Sequence, residues 1–198
     1  MKKLNLYQAE NQLISTGIKI FSPRDLMIMF DVSQRAAEGF LSYNLKKGAF
    51  IRLKKGFYSL KRNWPSDFFL ANKIYSPSYV SLDTALAFYH LIPETVYAVT
   101  SVTTKATRRF EIKERLFEYR KIKKEAYAGY QPTQVEGEVV FLATPEKAVA
   151  DFLYFVWLGK RKMNDRLVWE KLDLIRLKQY LKLFGQKRLV SFAHQLEK

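Results

Sequence analysis

The sequence predicts an α+β fold in two parts. An N-terminal helix-turn-helix unit closed by a basic hairpin spans residues 1–62. An α/β domain with a mainly antiparallel sheet spans 63–198 and ends, from about residue 159, in a basic helical tail. Three observations carry this reading. Two helix starts separated by a short turn precede a Lys-Lys-Gly turn. Runs of β-branched and aromatic residues then alternate with amphipathic helical segments. Finally, charge is concentrated at both ends of the chain. The 198 residues contain 34 Lys and Arg against 19 Asp and Glu, a net +15. Residues 1–60 hold 10 basic and 4 acidic groups (+6), residues 61–158 hold 13 and 11 (+2), and residues 159–198 hold 11 and 4 (+7). Such an imbalance bears on partners rather than on fold, and it points to nucleic acid or another anionic surface.

Leu6, Ala9, Leu13 and Ile14 recur at a loosely helical period within Leu4 to Thr16. In "FSPRDLMIMF", Ser22 is placed to cap a helix whose first residue is Pro23. Asp31, Val32 and Ser33 form a tight turn, Ser33 caps the next helix, and Ala37, Leu41 and Leu45 make its buried stripe. Gly48 ends that helix. "FIRLKKGFYSL" follows as two short strands around Lys54-Lys55-Gly56. Helix, helix, turn, helix and basic hairpin is the order of a winged helix-turn-helix, whose partner is double-stranded DNA. On the helix face away from the apolar stripe lie Arg35, Gly39, Ser42, Tyr43 and Lys46. Ser33 and Gln34 sit at the helix N-terminus, where backbone N–H groups favour phosphate. Gln34 and Arg35 are the candidate base readers, since both side chains make bidentate contacts. Lys46, Arg52, Lys54 and Lys55 are candidate phosphate contacts. A glycine at position 39 costs a helix roughly 1 kcal/mol relative to alanine, so it implies either close approach to DNA or close internal packing.

"KRNWPSDF", residues 61–68, reads as a linker around Pro65. Ser81 is then an N-cap, with Leu82, Ala85, Leu86 and Tyr89 on one helical face and Pro93 closing the helix. Val96 to Thr104, "RRFEI", "LFEYRKI" and "VEGEVVFLA" are strand candidates. Thr144 and Pro145 start a further helix, and Leu167, Leu174, Leu177, Leu181 and Phe184 give the tail a docked helical stripe.

The blocks "SLDTALAFYHLIPETVYAVTSVTT", "RRF", "FEYRKI" and "ATPEKAVADFLY" behind a winged helix resemble the AbiEi antitoxins of bacterial abortive-infection systems, from about Phe21 to about Trp157. The resemblance implies an N-terminal domain that represses its own operon, and the helix-turn-helix-wing order predicts an inverted repeat as its site. The resemblance also implies a C-terminal domain that counteracts a nucleotidyltransferase-like toxin without a stable complex, the type IV arrangement. Arg108 and Arg109 fall where such proteins carry basic residues. Together with the tail residues Arg161, Lys162 and Arg166 they form a candidate antitoxin or nucleic-acid surface.

Other chemistries fit less well. A nuclease needs carboxylates converging on a metal ion. Glu136 and Glu138 share a strand face, and Glu146, Asp151 and Asp83 read as helix-start or ion-pair residues. His90 and His194 neighbour no nucleophile, and the eight glycines form no phosphate loop. No catalytic residue, metal or cofactor is therefore assigned, and no enzyme activity is expected. RNA binding is the other live reading, through Tyr119, Tyr127 and Tyr130 interleaved with Arg120, Lys121, Lys123 and Lys124. A winged-helix regulator acting alone is a further alternative. The absence of cysteine rules out disulfides and thiolate metal sites and fits a reducing compartment. No apolar run approaches the roughly 18 residues of a membrane span, and no apolar stretch follows the basic N-terminus, so a cytoplasmic protein is expected.

Overall fold

The computed structural model describes residues 4–196. The chain divides into two compact units with the boundary between Ser66 and Asp67, four residues beyond the position expected. The fold is mixed α and β, with eight α-helices and two mostly antiparallel sheets among the described residues.

In the first unit, α1 (Leu6–Ser15) buries Ala9 and Leu13 and leaves Ile14 at 44% exposure, because Ile14 stands about 100° from the buried stripe. A two-residue strand, β1 (Ile20–Phe21), leads into α2 (Pro23–Phe30). Ser22 and Asp25 close a reciprocal capping box there. The Ser22 N–H donates to Asp25 Oδ2 at 2.7 Å, and the Asp25 N–H donates to Ser22 Oγ at 3.3 Å. Asp31, in the left-handed region at φ 52°, ends α2. Ser33 then caps α3 (Gln34–Lys46). Buried Ala37 and Leu41 form its stripe. Leu45 is half-buried, and Asn44 takes the inner position instead, its amide satisfied by the Phe40 carbonyl at 2.8 Å. β2 (Phe50–Lys54) and β3 (Phe57–Leu60) make the hairpin, and β3 lies between β1 and β2 in an antiparallel sheet. Leu13, Phe21, Leu26, Ala37, Leu41, Phe50 and Leu60 form one core, with Phe21 and Phe50 edge to face at 5.3 Å. Each of the Leu and Phe side chains among them contributes about 1.5–3 kcal/mol on burial.

The second unit begins with α4 (Asp67–Ile74), whose first two residues overlap the expected linker 61–68; Leu70, Ala71 and Ile74 are buried along it. It continues through β4 (Ser78–Val80), α5 (Leu82–Phe88), β5 (Val99–Thr103), β6 (Arg108–Ile112), β7 (Arg115–Lys121), β8 (Tyr130–Val135), β9 (Glu138–Ala143), α6 (Pro145–Trp157), α7 (Leu174–Lys182) and α8 (Lys187–Leu196). The sheet order is β6-β7-β5-β4-β9-β8. Three of its pairings are antiparallel, and two, β4–β9 and β5–β7, are parallel. Because β4 pairs with β9 only at Val80, β9 is left short of partners. The Asn72 amide takes the place of a strand there, accepting from the Phe141 N–H at 2.5 Å and donating to its carbonyl at 3.3 Å.

Three expected features differ. Ser81 stands at the N-cap position of α5, but its hydroxyl does not cap the helix; it donates to Asp151 Oδ2 at 2.7 Å. α5 ends at Phe88, with His90 at φ 53°, well before Pro93. The C-terminal segment is not one helix: residues 159–172 are irregular, and Asp173 caps α7 by accepting from the Ile175 and Arg176 N–H groups. Leu177, Leu181 and Phe184 are buried as expected, whereas Leu174, now the first residue of α7, is 38% exposed. α7 packs close to Gly129 (φ 76°), where an added Cβ would stand 2.6 Å from the Tyr180 ring.

Candidate nucleic-acid interface

In the first unit, α3 turns Ala37, Leu41 and Asn44 inward. Arg35, Gly39, Ser42 and Lys46, at intervals of four, three and four residues, therefore line its outer side, and all four are exposed. Arg35 and Lys46 form no ion pair among the described residues. A Cβ on Gly39 would meet nothing within 4 Å beyond its own helical turn, which removes internal packing as the reason for glycine. Ser33 is exposed, but its hydroxyl is already engaged, accepting from the Ala36 N–H at 3.3 Å. Gln34 is likewise held, donating to Glu38 Oε1 at 2.8 Å, so a carboxylate sits beside one candidate base reader. Tyr43 is 57% exposed with the Lys47 ammonium 4.7 Å from its ring centre.

The hairpin follows from its register. Arg52 stands opposite Tyr58, a bulge intervenes at Leu53, and Lys54 stands opposite Phe57. Gly56, at φ 81°, supplies the left-handed residue of the turn. Lys55 at the tip and Arg52 are exposed and without ion-pair partners among the described residues. Lys54 is half-buried, its ammonium 4.2 Å from the Phe57 ring centre. The α3 face, through Arg35 and Lys46, and the hairpin, through Arg52 and Lys55, thus present cations without an acidic partner among the described residues.

The candidate residues of the second unit are arranged differently. Arg109 donates through Nε at 2.7 Å, and also through Nη2, to Glu118, which accepts a further bond from Arg120 at 3.1 Å. Arg108 lies 5.5 Å from the Tyr75 ring centre. Arg161 pairs with Asp83, and burial lowers its guanidinium to about 10. Arg166 pairs with Glu94, whose carboxyl is held below its ordinary range chiefly by the hydrogen bond from Asn164. Of the three tail residues, only Lys162 is exposed and without an ion-pair partner among the described residues.

A buried polar cluster escaped the reading of the sequence. Lys147 Nζ donates to Asp151 Oδ1 at 2.6 Å, and both side chains are fully buried. Asp151 Oδ2 also accepts from the hydroxyls of Ser81 (2.7 Å) and Tyr79 (3.0 Å), and the Lys147 ammonium lies 4.7 Å from the Phe184 ring centre. Burial raises the Asp151 carboxyl above its ordinary value against the pull of Lys147, and burial with the nearby carboxylate raises the Tyr79 hydroxyl. The i, i+4 spacing of Lys147 and Asp151 was the only local signal. With no exposed atom, the cluster joins β4, α5 and α6 but cannot meet a substrate. Glu136 and Glu138 do not share a strand face as expected: Glu136 is exposed in the turn between β8 and β9, at φ 49°, and Glu138 is buried at the start of β9, while Asp151 is enclosed. Among the described residues, no group of three or more His, Asp or Glu side chains could hold a metal ion, and no helix is long and apolar enough to cross a membrane. No family model and no curated protein matches this chain.

Proposed function

We propose that the first unit is a winged helix-turn-helix that binds operator DNA, and that the protein is an antitoxin that represses its own operon. One observation carries the DNA-binding part: Arg35, Lys46, Arg52 and Lys55 all project from α3 and the hairpin without an acidic partner among the described residues. In this reading α3 enters the major groove of an inverted repeat, with Arg35 at a base edge. Arg52, Lys55 and Lys46 meet phosphates and supply affinity that falls with salt. Ser33 is a cap whose neighbouring backbone N–H groups face the backbone of the DNA, and Gln34 reads a base only after leaving Glu38. The antitoxin part is supported by the resemblance of the second unit to AbiEi antitoxins, with a nucleotidyltransferase-like toxin as the functional partner.

The test is binding of the full chain to its own promoter and to a scrambled duplex. Promoter binding should be tighter, and Arg35→Ala should cost about 1–3 kcal/mol on the promoter alone. Equal affinity for both duplexes rejects operator recognition. In cells carrying the toxin, the Arg35→Ala protein should fail to repress yet still protect; a protein that represses without protecting is a regulator and not an antitoxin.

A further inference from the structure

The second unit gathers cations at one end of its sheet. β5 and β7 run parallel, with Thr103 beside Lys121, and β6 runs back along β7, with Arg108 opposite Tyr119. The ends of β5 and β7 and the start of β6 therefore coincide. They bring together Lys105, Arg108, Arg109, Arg120 and Lys121, while Glu111 and Glu114 fall at the far end of the β6–β7 hairpin. Side chains alternate along the strands, so Arg109, Arg120 and the carboxylate they share, Glu118, lie on one face, and Arg108 and Lys121 lie on the other. Lys105, Arg108 and Lys121 have no carboxylate partner among the described residues.

The side chains of Lys105 and Arg108 are held by neutral groups, and Lys121 is tied through its backbone. Lys105 Nζ donates to the Ser76 carbonyl at 2.6 Å and lies 5.7 Å from the Tyr75 ring centre, with Arg108 5.5 Å from the same centre. The loop between β5 and β6 is fixed by two threonines. Thr103 Oγ1 accepts from the Lys105 N–H at 3.1 Å, and Thr107 Oγ1 accepts from the Lys121 N–H at 3.2 Å. Like charges fixed side by side repel unless an anion lies among them, and a lysine serving only to blunt a sheet edge needs no such anchoring. Tyr75 offers no open ring for a base, since Phe110 (5.8 Å) and Tyr119 (5.1 Å) pack around it.

We propose that this end of the sheet is a second phosphate-binding surface, which takes the sugar-phosphate backbone of a nucleic acid without regard to base sequence. It is separate from the operator contacts of the first unit and does not rest on them. The tail cations Arg161 and Arg166, tied to Asp83 and Glu94, take no part.

The test uses the full chain with Lys105→Gln, Arg108→Gln and Lys121→Gln together. Arg109 and Arg120 are kept because their loss would strand buried Glu118. Binding to a scrambled DNA duplex and to single-stranded RNA of matched length is followed by fluorescence anisotropy between about 50 and 200 mM salt. The slope of log K against log salt should fall by about 2–3 on at least one of the two, at about 0.9 per lost contact on duplex and 0.7 on a single strand. The arm that responds identifies the nucleic acid. The preference for promoter over scrambled duplex should persist, since it belongs to α3. A companion protein with Lys105→Arg, Arg108→Lys and Lys121→Arg should keep the original slope. Unchanged slopes on both nucleic acids overturn the proposal, and so does an equal loss in the charge-keeping companion, which would mark a packing defect.

Discussion

The two basic ends of the chain carry nearly equal charge, +6 over residues 1–60 and +7 over residues 159–198, but the arginines expected to face nucleic acid are held differently in them. At the N-terminal end, Arg35, Lys46, Arg52 and Lys55 face solvent without acidic partners among the described residues. At the C-terminal end, Arg161 and Arg166 are tied to Asp83 and Glu94, and so fasten the irregular segment 159–172 to the region around α5. The near-neutral middle, at +2, still collects Lys105, Arg108 and Lys121 at one sheet end. Segment charge therefore does not locate an interface. Whether a cation has a partner within the chain decides whether it stabilises the fold or remains open to a ligand.

Lys147 is the extreme of the engaged cation, and its replacement should have the largest effect. Lys147→Met leaves a buried Asp151 carboxylate with only the Ser81 and Tyr79 hydroxyls, and should cost about 3–5 kcal/mol in chemical denaturation. The pH dependence has a definite sign. The folded Asp151 carboxyl already sits above its ordinary 3.8, so what its protonated form contributes to stability is present below that value and lost as pH rises through the folded one. Without Lys147 the folded value rises further. The deficit of the variant should thus be larger at neutral pH than in mild acid; an equal deficit at both would mean that lost packing against Phe184, and not uncompensated charge, is the cause. Adding Asp151→Leu should recover part of the loss, limited by the two hydroxyls left without their acceptor.

A direct contrast between the two ends is intermediate in size. Arg161→Ala should destabilise the protein by about 2 kcal/mol, since it removes a charged hydrogen bond at a largely enclosed site, and should leave DNA affinity unaltered. Arg52→Ala with Lys55→Ala should shift stability by no more than about 0.5 kcal/mol and lower the salt slope on every duplex by roughly two. Melting temperature and anisotropy titration on the same samples separate the outcomes. If Arg161→Ala weakened DNA binding while the fold stayed intact, the division between structural and ligand-facing cations would fail.

How far each feature was legible follows from the range of the interaction behind it. The capping box of Ser22 and Asp25, the cap at Ser33 and the Thr144-Pro145 start of α6 lie within four residues, so the local sequence specifies them. α4 was missed because "DFFLANKI" is buried along much of its length and carries little polar face to show a period. β8, "YQPTQV", has the Pro and polar residues of an edge strand, which imitate a loop. The partners of Ser81, Arg161 and Arg166 lie some 70 residues away in the chain and leave no mark on local pattern. The outward face of α3 could be read from periodicity alone. The cluster at the end of β5, β6 and β7 required the strand register, which no single segment encodes.

The smallest expected effect falls on Gly39, and it bears most directly on how α3 is used. Glycine at an exposed position near the centre of the 13-residue α3 lowers stability by roughly 1 kcal/mol relative to alanine, and here no neighbour beyond the helix needs the space. Gly39→Ala should therefore stabilise the protein by about that amount, seen as a rise of a few degrees in melting temperature. The residue lies between Arg35 and Ser42 on the outward line, the part of α3 that comes nearest to DNA in the proposed reading. A methyl group there should hold the helix off the duplex and weaken promoter binding about tenfold, or 1.4 kcal/mol. Stability and affinity should move in opposite directions, a combination that neither misfolding nor simple loss of charge produces. A variant that is more stable and binds the promoter as well as the parent would place the contact surface of α3 elsewhere. The Tyr43 and Lys47 side of the helix would then be the next to test.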